Sequence, residues 1–220
     1  MAFRLGPTAA TALLALCVSG PAAAAAGMRM EAAKQVDAAK LFTHYDAYLK
    51  LPAAERSHFT MAFYLRLGAA PLTAPVWLVE GDKKIPMPVR ADGRIEPPPT
   101  LAQLVADKVE IGVDPGTKLR LIIALEPLAA PGTDLDAREL AAAIAQARPG
   151  MRKIAGVIGF ALPAPKAVLF LGVPAGDAEL ADGRRVALPL ISGAPAYDPA
   201  AIPNARRIRL QKIPTRLDID

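Results

Sequence analysis

Beyond its first 26 residues the chain carries two serines, Ser57 and Ser192, and two histidines, His44 and His58. Nucleophilic catalysis by serine needs a base within hydrogen-bond reach, itself oriented by a third group. Ser57 and His58 are neighbours at a strand entrance, so alternation sends them to opposite faces. No Gly-x-Ser-x-Gly frames either serine. A triad is therefore not expected. For a metal, the nearest groupings are His44 with Asp46 and Glu55 with His58. The second has helical spacing, but the strand pattern that begins at His58 removes the helix it would need, and a zinc site asks for more ligands than either grouping offers.

Carboxylates are more plentiful. Glycoside hydrolysis asks only for two acids roughly 5 to 10 Å apart in the fold, and Asp82, Asp92, Glu96, Glu110 and Glu126 are available. Carbohydrate clefts generally display aromatic platforms, whereas this chain has one Trp, Trp77, and four Tyr. A cleft holding two acids with Trp77 or Tyr64 would favour a hydrolase. Acids scattered over convex faces would favour a binding protein. Gly156 and Gly159 fall within an expected strand with no helix after it, so they do not form a phosphate-cradling loop. No catalytic residue, metal or cofactor is assigned.

The remaining candidate is basic. Arg206, Arg207, Arg209, Lys212 and Arg216 cluster near the C-terminus. With Ile208 and Leu210 inward, Arg207 and Arg209 emerge on one strand face, a candidate surface for an anionic partner such as lipid headgroups or a polyanion. The commoner role of such a stripe is a solvated face that resists edge pairing.

The leader bounds where any of this chemistry would act. Arg4, the apolar run Leu5 to Val18, Gly20-Pro21 and the small residues Ala22 to Ala26 read as a signal peptide cleaved near Ala24 to Ala26. The run is too short for a membrane span, and Pro21 closes it. Leu16 before Cys17 argues against lipidation. A periplasmic or secreted chain without a transmembrane span is expected. Cleavage removes Cys17, the sole cysteine, and with it thiol catalysis, iron–sulfur ligation and Cys-zinc sites. It also removes Arg4, leaving 25 basic side chains against 21 acidic ones. That excess is modest and interspersed, and gives no nucleic-acid footprint.

The elements that would position these residues follow from periodicity. Residues 27–57 form an N-terminal helical segment: Val36, Ala39, Phe42, Tyr45 and Leu49 trace one helix face over 31–49, stopped by Pro52. From His58 the period becomes two, with Phe59, Met61, Phe63, Leu65 and Leu67 on one face. Val76 to Glu80 turns at Gly81-Asp82 into Lys84 to Val89, whose Pro86 and Pro88 suit an edge strand. Val109 to Val113 and Leu119 to Leu125 predict a hairpin with a three-residue loop, which pairs Val113 with Thr117 or Leu119. A helix over 133–149, capped by Thr133 or Asp134, touches the core through Leu135, Leu140 and Ile144 and ends at Pro149-Gly150. Strands then resume: Ile154, Ile158 and Phe160 share a face, Ala167 to Leu171 suits a central strand, and Ile208, Leu210, Leu217 and Ile219 flank Pro214.

The chain is thus expected to be mainly β (α+β), an antiparallel sheet or sandwich. A first β unit (58–132) and a second (150–220) are joined by the helix at 133–149. Ala91-Asp92-Gly93-Arg94 recurs as Ala181-Asp182-Gly183-Arg184, each amid a similar order of parts, which suggests an internal duplication; each Asp-Gly reads as a turn. The functional expectation is a non-catalytic envelope protein that binds another protein or a surface component. The alternative is a hydrolase acting on an envelope polymer through two carboxylates.

Overall fold

Alternation from Phe59 to Leu67 produces the longest ladder of the fold. The computed structural model describes residues 33–156 and 163–220; the expected leader and the strand positions Ile158 and Phe160 lie outside them. In chain order, β1 (Lys34–Asp37) runs straight into α1 (Ala38–Leu41) and α2 (Tyr45–Lys50), followed by β2 (Phe59–Leu67) and β3 (Ala70–Pro71). Next come β4 (Val76–Glu80), β5 (Lys83–Met87), α3 (Leu101–Ala106), β6 (Lys108–Ile111) and β7 (Leu119–Pro127). Then β8 (Asp134–Asp136) leads into α4 (Ala137–Ala155). Last are β9 (Val168–Leu171), β10 (Gly176–Leu180), β11 (Arg185–Ala187), β12 (Leu190–Ile191), β13 (Ala194–Tyr197), β14 (Ala205–Leu210) and β15 (Arg216–Ile219).

All the sheets are antiparallel, and the protein is mainly β with helices packed on the sheets. The orders are β1-β6-β4-β5, β3-β2-β7, β8-β14-β10-β11 and β12-β13-β9-β15. The first and third share one pattern. In each, a strand that ends in Asp and enters a helix directly (β1, β8) pairs with a later strand (β6, β14), which pairs with a hairpin (β4–β5, β10–β11). Register agrees row by row: Val36, Val109, Leu78 and Ile85 stand side by side, as do Leu135, Ile208, Ala178 and Val186. The next strand after each helix (β2, β9) pairs with the last strand of its half (β7, β15).

Several expectations hold. The β4–β5 hairpin turns at Gly81-Asp82, with Gly81 at φ +58° where a tight two-residue loop places glycine. β5 is an edge strand and β9 an interior one. Both Ala-Asp-Gly-Arg segments are turns of one geometry: Gly93 and Gly183 have φ +88° and +84°, and Asp92 and Asp182 each accept the N–H two residues on at 3.0 Å. Their places differ, however. Ala181–Arg184 joins β10 to β11, where the first half has Gly81-Asp82, whereas Ala91–Arg94 lies between the bridged residues Val89 and Ile95.

Other expectations are corrected. Over the described residues 33–49, the expected helix is replaced by a strand and two short helices. Val36 pairs beside Val109 in β1, where the sheet supplies ladder hydrogen bonds that an isolated helix turn cannot match, and His44 at φ +66° separates α1 from α2. The buried stripe is Ala38, Phe42, Tyr45 and Tyr48, not Ala39. It does pack on the following sheet, with Phe42 and Tyr45 edge-on to Phe63 at 4.9 and 5.1 Å.

The hairpin expected over 109–125 does not form. Both edges of β6 are taken, by β1 and β4, while β7 forms a nine-residue ladder with β2. A long ladder with a buried face on each side outcompetes a short local hairpin.

Helix α4 starts later and ends later than expected. Leu135 lies in β8, Asp136 caps by accepting from the Arg138 N–H at 2.8 Å, and the helix runs through Pro149 to Ala155. Ile154 is therefore helical. Interior proline costs about 3 kcal/mol; the buried stripe Leu140, Ala143, Ile144, Ala147, Gly150 and Ile154 offsets it. No described helix is long and apolar enough to cross a membrane.

Gly150 explains why Pro149 is followed by glycine inside a helix. A Cβ there would stand 2.7 Å from Cζ of the fully buried Phe59. Helix propensity alone favours Gly150→Ala by about 1 kcal/mol, but overpacking costs about 1–3 kcal/mol. Chemical denaturation should show net destabilisation, with a Phe59→Leu background reducing it; a stabilised G150A would sink this account of the packing.

Candidate functional site

The second face of the β2–β7 ladder is also buried, and this creates the site. Register places Thr60 opposite Glu126, Ala62 opposite Ala124, Tyr64 opposite Ile122, and Arg66 opposite Arg120. Ala62, Tyr64 and Ala124 form a small apolar patch. β15 and the Ala91–Arg94 turn lie over it: Arg94 bridges to Tyr64 in backbone pairing, and the Arg216 guanidinium stacks over the Tyr64 ring at 4.4 Å. Between β7 and β15 lies a cleft of about 260 Å³ lined by Thr60, Tyr64, Arg90, Asp92, Arg94, Glu126, Thr215 and Arg216, with Pro127 to Pro131 as one rim. A smaller cavity of about 150 Å³ shares Tyr64, Asp92, Thr215 and Arg216 and adds Arg66, Ile122 and Leu171.

Glu126 is the centre of the network. Its side chain is 6% exposed; one oxygen accepts from Arg94 Nη1 at 2.7 Å and the other accepts the Tyr64 hydroxyl. Burial pushes the Glu126 carboxyl above the ordinary range, with Tyr64 and Arg94 opposing but not cancelling the rise. Burial likewise raises the Tyr64 phenol, reinforced by the carboxylate beside it. Asp218 pairs with Arg216, and burial raises its carboxyl too. Asp92 spends one oxygen on the Arg94 N–H in the turn. Nε of Arg66, Nε of Arg216 and Oδ1 of Asp218 are buried without a partner, an arrangement that costs about 1–3 kcal/mol or more for each such group.

Tyr64, Asp92 and Glu126, each weighed separately in sequence, are thus brought together. Arg216, read in sequence only within the C-terminal basic cluster, and Arg94, read only within a turn, join them together with Arg66. The sequence sign was Glu126 at the end of the apolar run Leu121 to Leu125. Asp82, Glu96 and Glu110 do not line the cleft; Glu110 is buried elsewhere, bound by Lys84 Nζ at 2.6 Å and Gln35 Nε2 at 3.2 Å. Trp77 lies in β4, under the Lys84 ammonium.

Arg207 and Arg209 stand on the outer face of β14 as expected, each paired: Arg207 Nε with Asp134 at 2.6 Å, Arg209 Nη1 with Asp134 and Nε with Glu179, both at 2.8 Å. Ser57 and the His58 N–H both bond to the Gln146 side chain, tying the β2 entrance to α4. Ser192 lies in the turn between β12 and β13 at φ +51°. Among the described residues no group of three or more His, Cys, Asp or Glu could hold a metal. No protein family, curated protein or solved structure matches the chain.

Breaking a buried pair by removing one partner costs about 3–5 kcal/mol. Arg94→Met, which leaves Glu126 buried without its cation, should lose about that much at neutral pH. The sign with pH follows from linkage. A carboxyl raised in the fold binds protons more tightly there than in the unfolded chain, so its presence destabilises progressively as pH rises from the ordinary Glu value of 4.5. The gap between protein and variant should therefore be smallest near or below that pH and widen above it; a gap that shrinks on raising the pH would contradict the assignment.

Proposed function

We propose that this chain is a non-catalytic envelope protein, periplasmic or secreted after loss of its leader, that binds a polar envelope component in the β7–β15 cleft. The observation that carries this reading is the state of the acids. Glu126 is held by Arg94 and Tyr64, Asp218 by Arg216, and Asp92 by its own turn. Each has at least one oxygen committed to a structural partner, while the guanidinium groups retain donor capacity suited to recognition. The outer face at Arg207 and Arg209 has less support as a docking surface, since Asp134 and Glu179 already neutralise it.

One observation supports a second reading, a hydrolase acting on an envelope polymer. The cleft gathers Asp92, Glu126 and Tyr64, and a Glu held protonated to higher pH suits a general acid.

The matched sheet orders and registers support an internal duplication, with residues 34–127 and 134–219 as tandem copies. On that reading α4 belongs to the second copy as α1 and α2 belong to the first, and it does not merely join two β units. Short sequence likenesses sit at matching places: Val36-Asp37-Ala38 with Leu135-Asp136-Ala137, and Thr117-Lys118-Leu119 with Thr215-Arg216-Leu217. The cleft then lies where the closing strands of the two copies meet, a common place for ligand sites.

Incubation of the purified protein with envelope glycan and peptidoglycan fragments separates the two readings. Saturable retention without new products, weakened in Arg216→Gln, is the expected outcome. Products that vanish in Glu126→Gln would replace the binding protein with a hydrolase, and neither retention nor products would remove both.

A further inference from the structure

We infer that the cavity beside Arg66 is a recognition site for a single oxyanion, a carboxylate or phosphate carried by a small polar molecule; this deepens the proposed binding role and rests on it. Three observations converge there. First, Arg66 stands directly opposite the exposed Arg120 on one face of the β2–β7 ladder, so its cross-strand neighbour supplies a like charge and not a partner. Second, the nearby acids are engaged elsewhere: Asp92, which lines the same cavity, holds the Arg94 N–H through Oδ1. Glu126 is bound by Arg94 and Asp218 by Arg216, and neither Arg66 nor Arg120 has a carboxylate partner among the described residues.

Third, both arginines that border the cavity, Arg66 and Arg216, have a buried Nε without an acceptor. Guanidinium groups present paired donors whose geometry matches carboxylate and phosphate oxygens. An oxyanion between the two guanidinium groups would give Arg66 the counter-charge it lacks. The body of the ligand is constrained by the rest of the wall. Ile122, Leu171 and the Tyr64 ring give it an apolar side, and the Thr215 hydroxyl, which donates to the Leu171 carbonyl at 3.1 Å, can accept from a ligand hydroxyl. With about 150 Å³ opening into the larger cleft, the site suits a group the size of one sugar ring or smaller.

The arginine Nε–H signals of the ¹⁵N-labelled protein report on the site directly. Titration with sodium glucuronate, inorganic phosphate and neutral glucose should give a saturable shift of the Arg66 and Arg216 signals with at least one of the two anions and none with glucose. Response to glucuronate alone assigns a carboxylate source, and response to phosphate alone a phosphate source. Arg66→Gln, and Arg66→Lys, which keeps the charge but loses the fork, should each weaken binding at least tenfold while the Arg216 signal still reports a folded seam; Lys83→Gln, on the β5 edge, should bind as the parent does. No saturable shift with either anion, or an equal shift with glucose, overturns the inference. If the anions fail while envelope fragments are still retained through Arg216, the oxyanion assignment alone falls and the binding reading stands.

Discussion

Burial of both faces of the β2–β7 ladder is the constraint on which the rest of the structure depends. One face carries Phe59, Met61, Phe63 and Leu65 into the main core, under the aromatic side chains of Phe42, Tyr45 and Tyr48 and the Gly150 notch of α4. The other face carries Thr60, Tyr64 and Arg66, opposite Glu126, Ile122 and Arg120. A sheet with one wet face could have left these polar groups in water. Here β15 and the Ala91–Arg94 turn lie over Tyr64 and Glu126, which must find partners inside, while Arg120 stays in water.

The seam meets that demand incompletely. Arg94, Tyr64 and Glu126 satisfy one another, and Arg216 takes Asp218 while stacking on Tyr64. Yet Arg66, Arg216 and Asp218 retain orphaned atoms. A chain selected only for stability could fill this seam with apolar side chains at less cost. Retention of an unfinished polar network next to a cleft is the physical reason to look there for function.

The β1-β6-β4-β5 and β8-β14-β10-β11 sheets are built alike. In each, an apolar row of four residues in register crosses the sheet, flanked by rows of polar pairs. The Asp134–Arg209 pair in one sheet has as its counterpart the Gln35–Glu110 pair in the other. The surface arginines that drew notice in the sequence are therefore rungs of a ladder of alternating charge, and their exposure limits what each pair contributes.

Periodicity and local chemistry settled much of this protein from sequence alone. The strand at Phe59–Leu67, the Gly81-Asp82 hairpin with its proline edge, both Asp-Gly turns, a capped helix before Pro149, though not its start or end, and the central strand at Val168–Leu171 all follow from signals a few residues long. Partner choice did not. A strand's pattern says which side chains share a face and nothing about which distant strand will lie beside it, so β6 and β7 read as a hairpin although each pairs elsewhere. Likewise, Val36 could not reveal that a sheet edge awaited it, nor Pro149 that the stripe from Leu140 to Ile154 would hold the helix together around it. Tyr64, Asp92 and Glu126 were visible one by one as residues with possible chemistry. Their meeting with Arg66, Arg94 and Arg216 was decided only by tertiary structure, because long-range pairing and the burial of a second sheet face are properties of the assembled core.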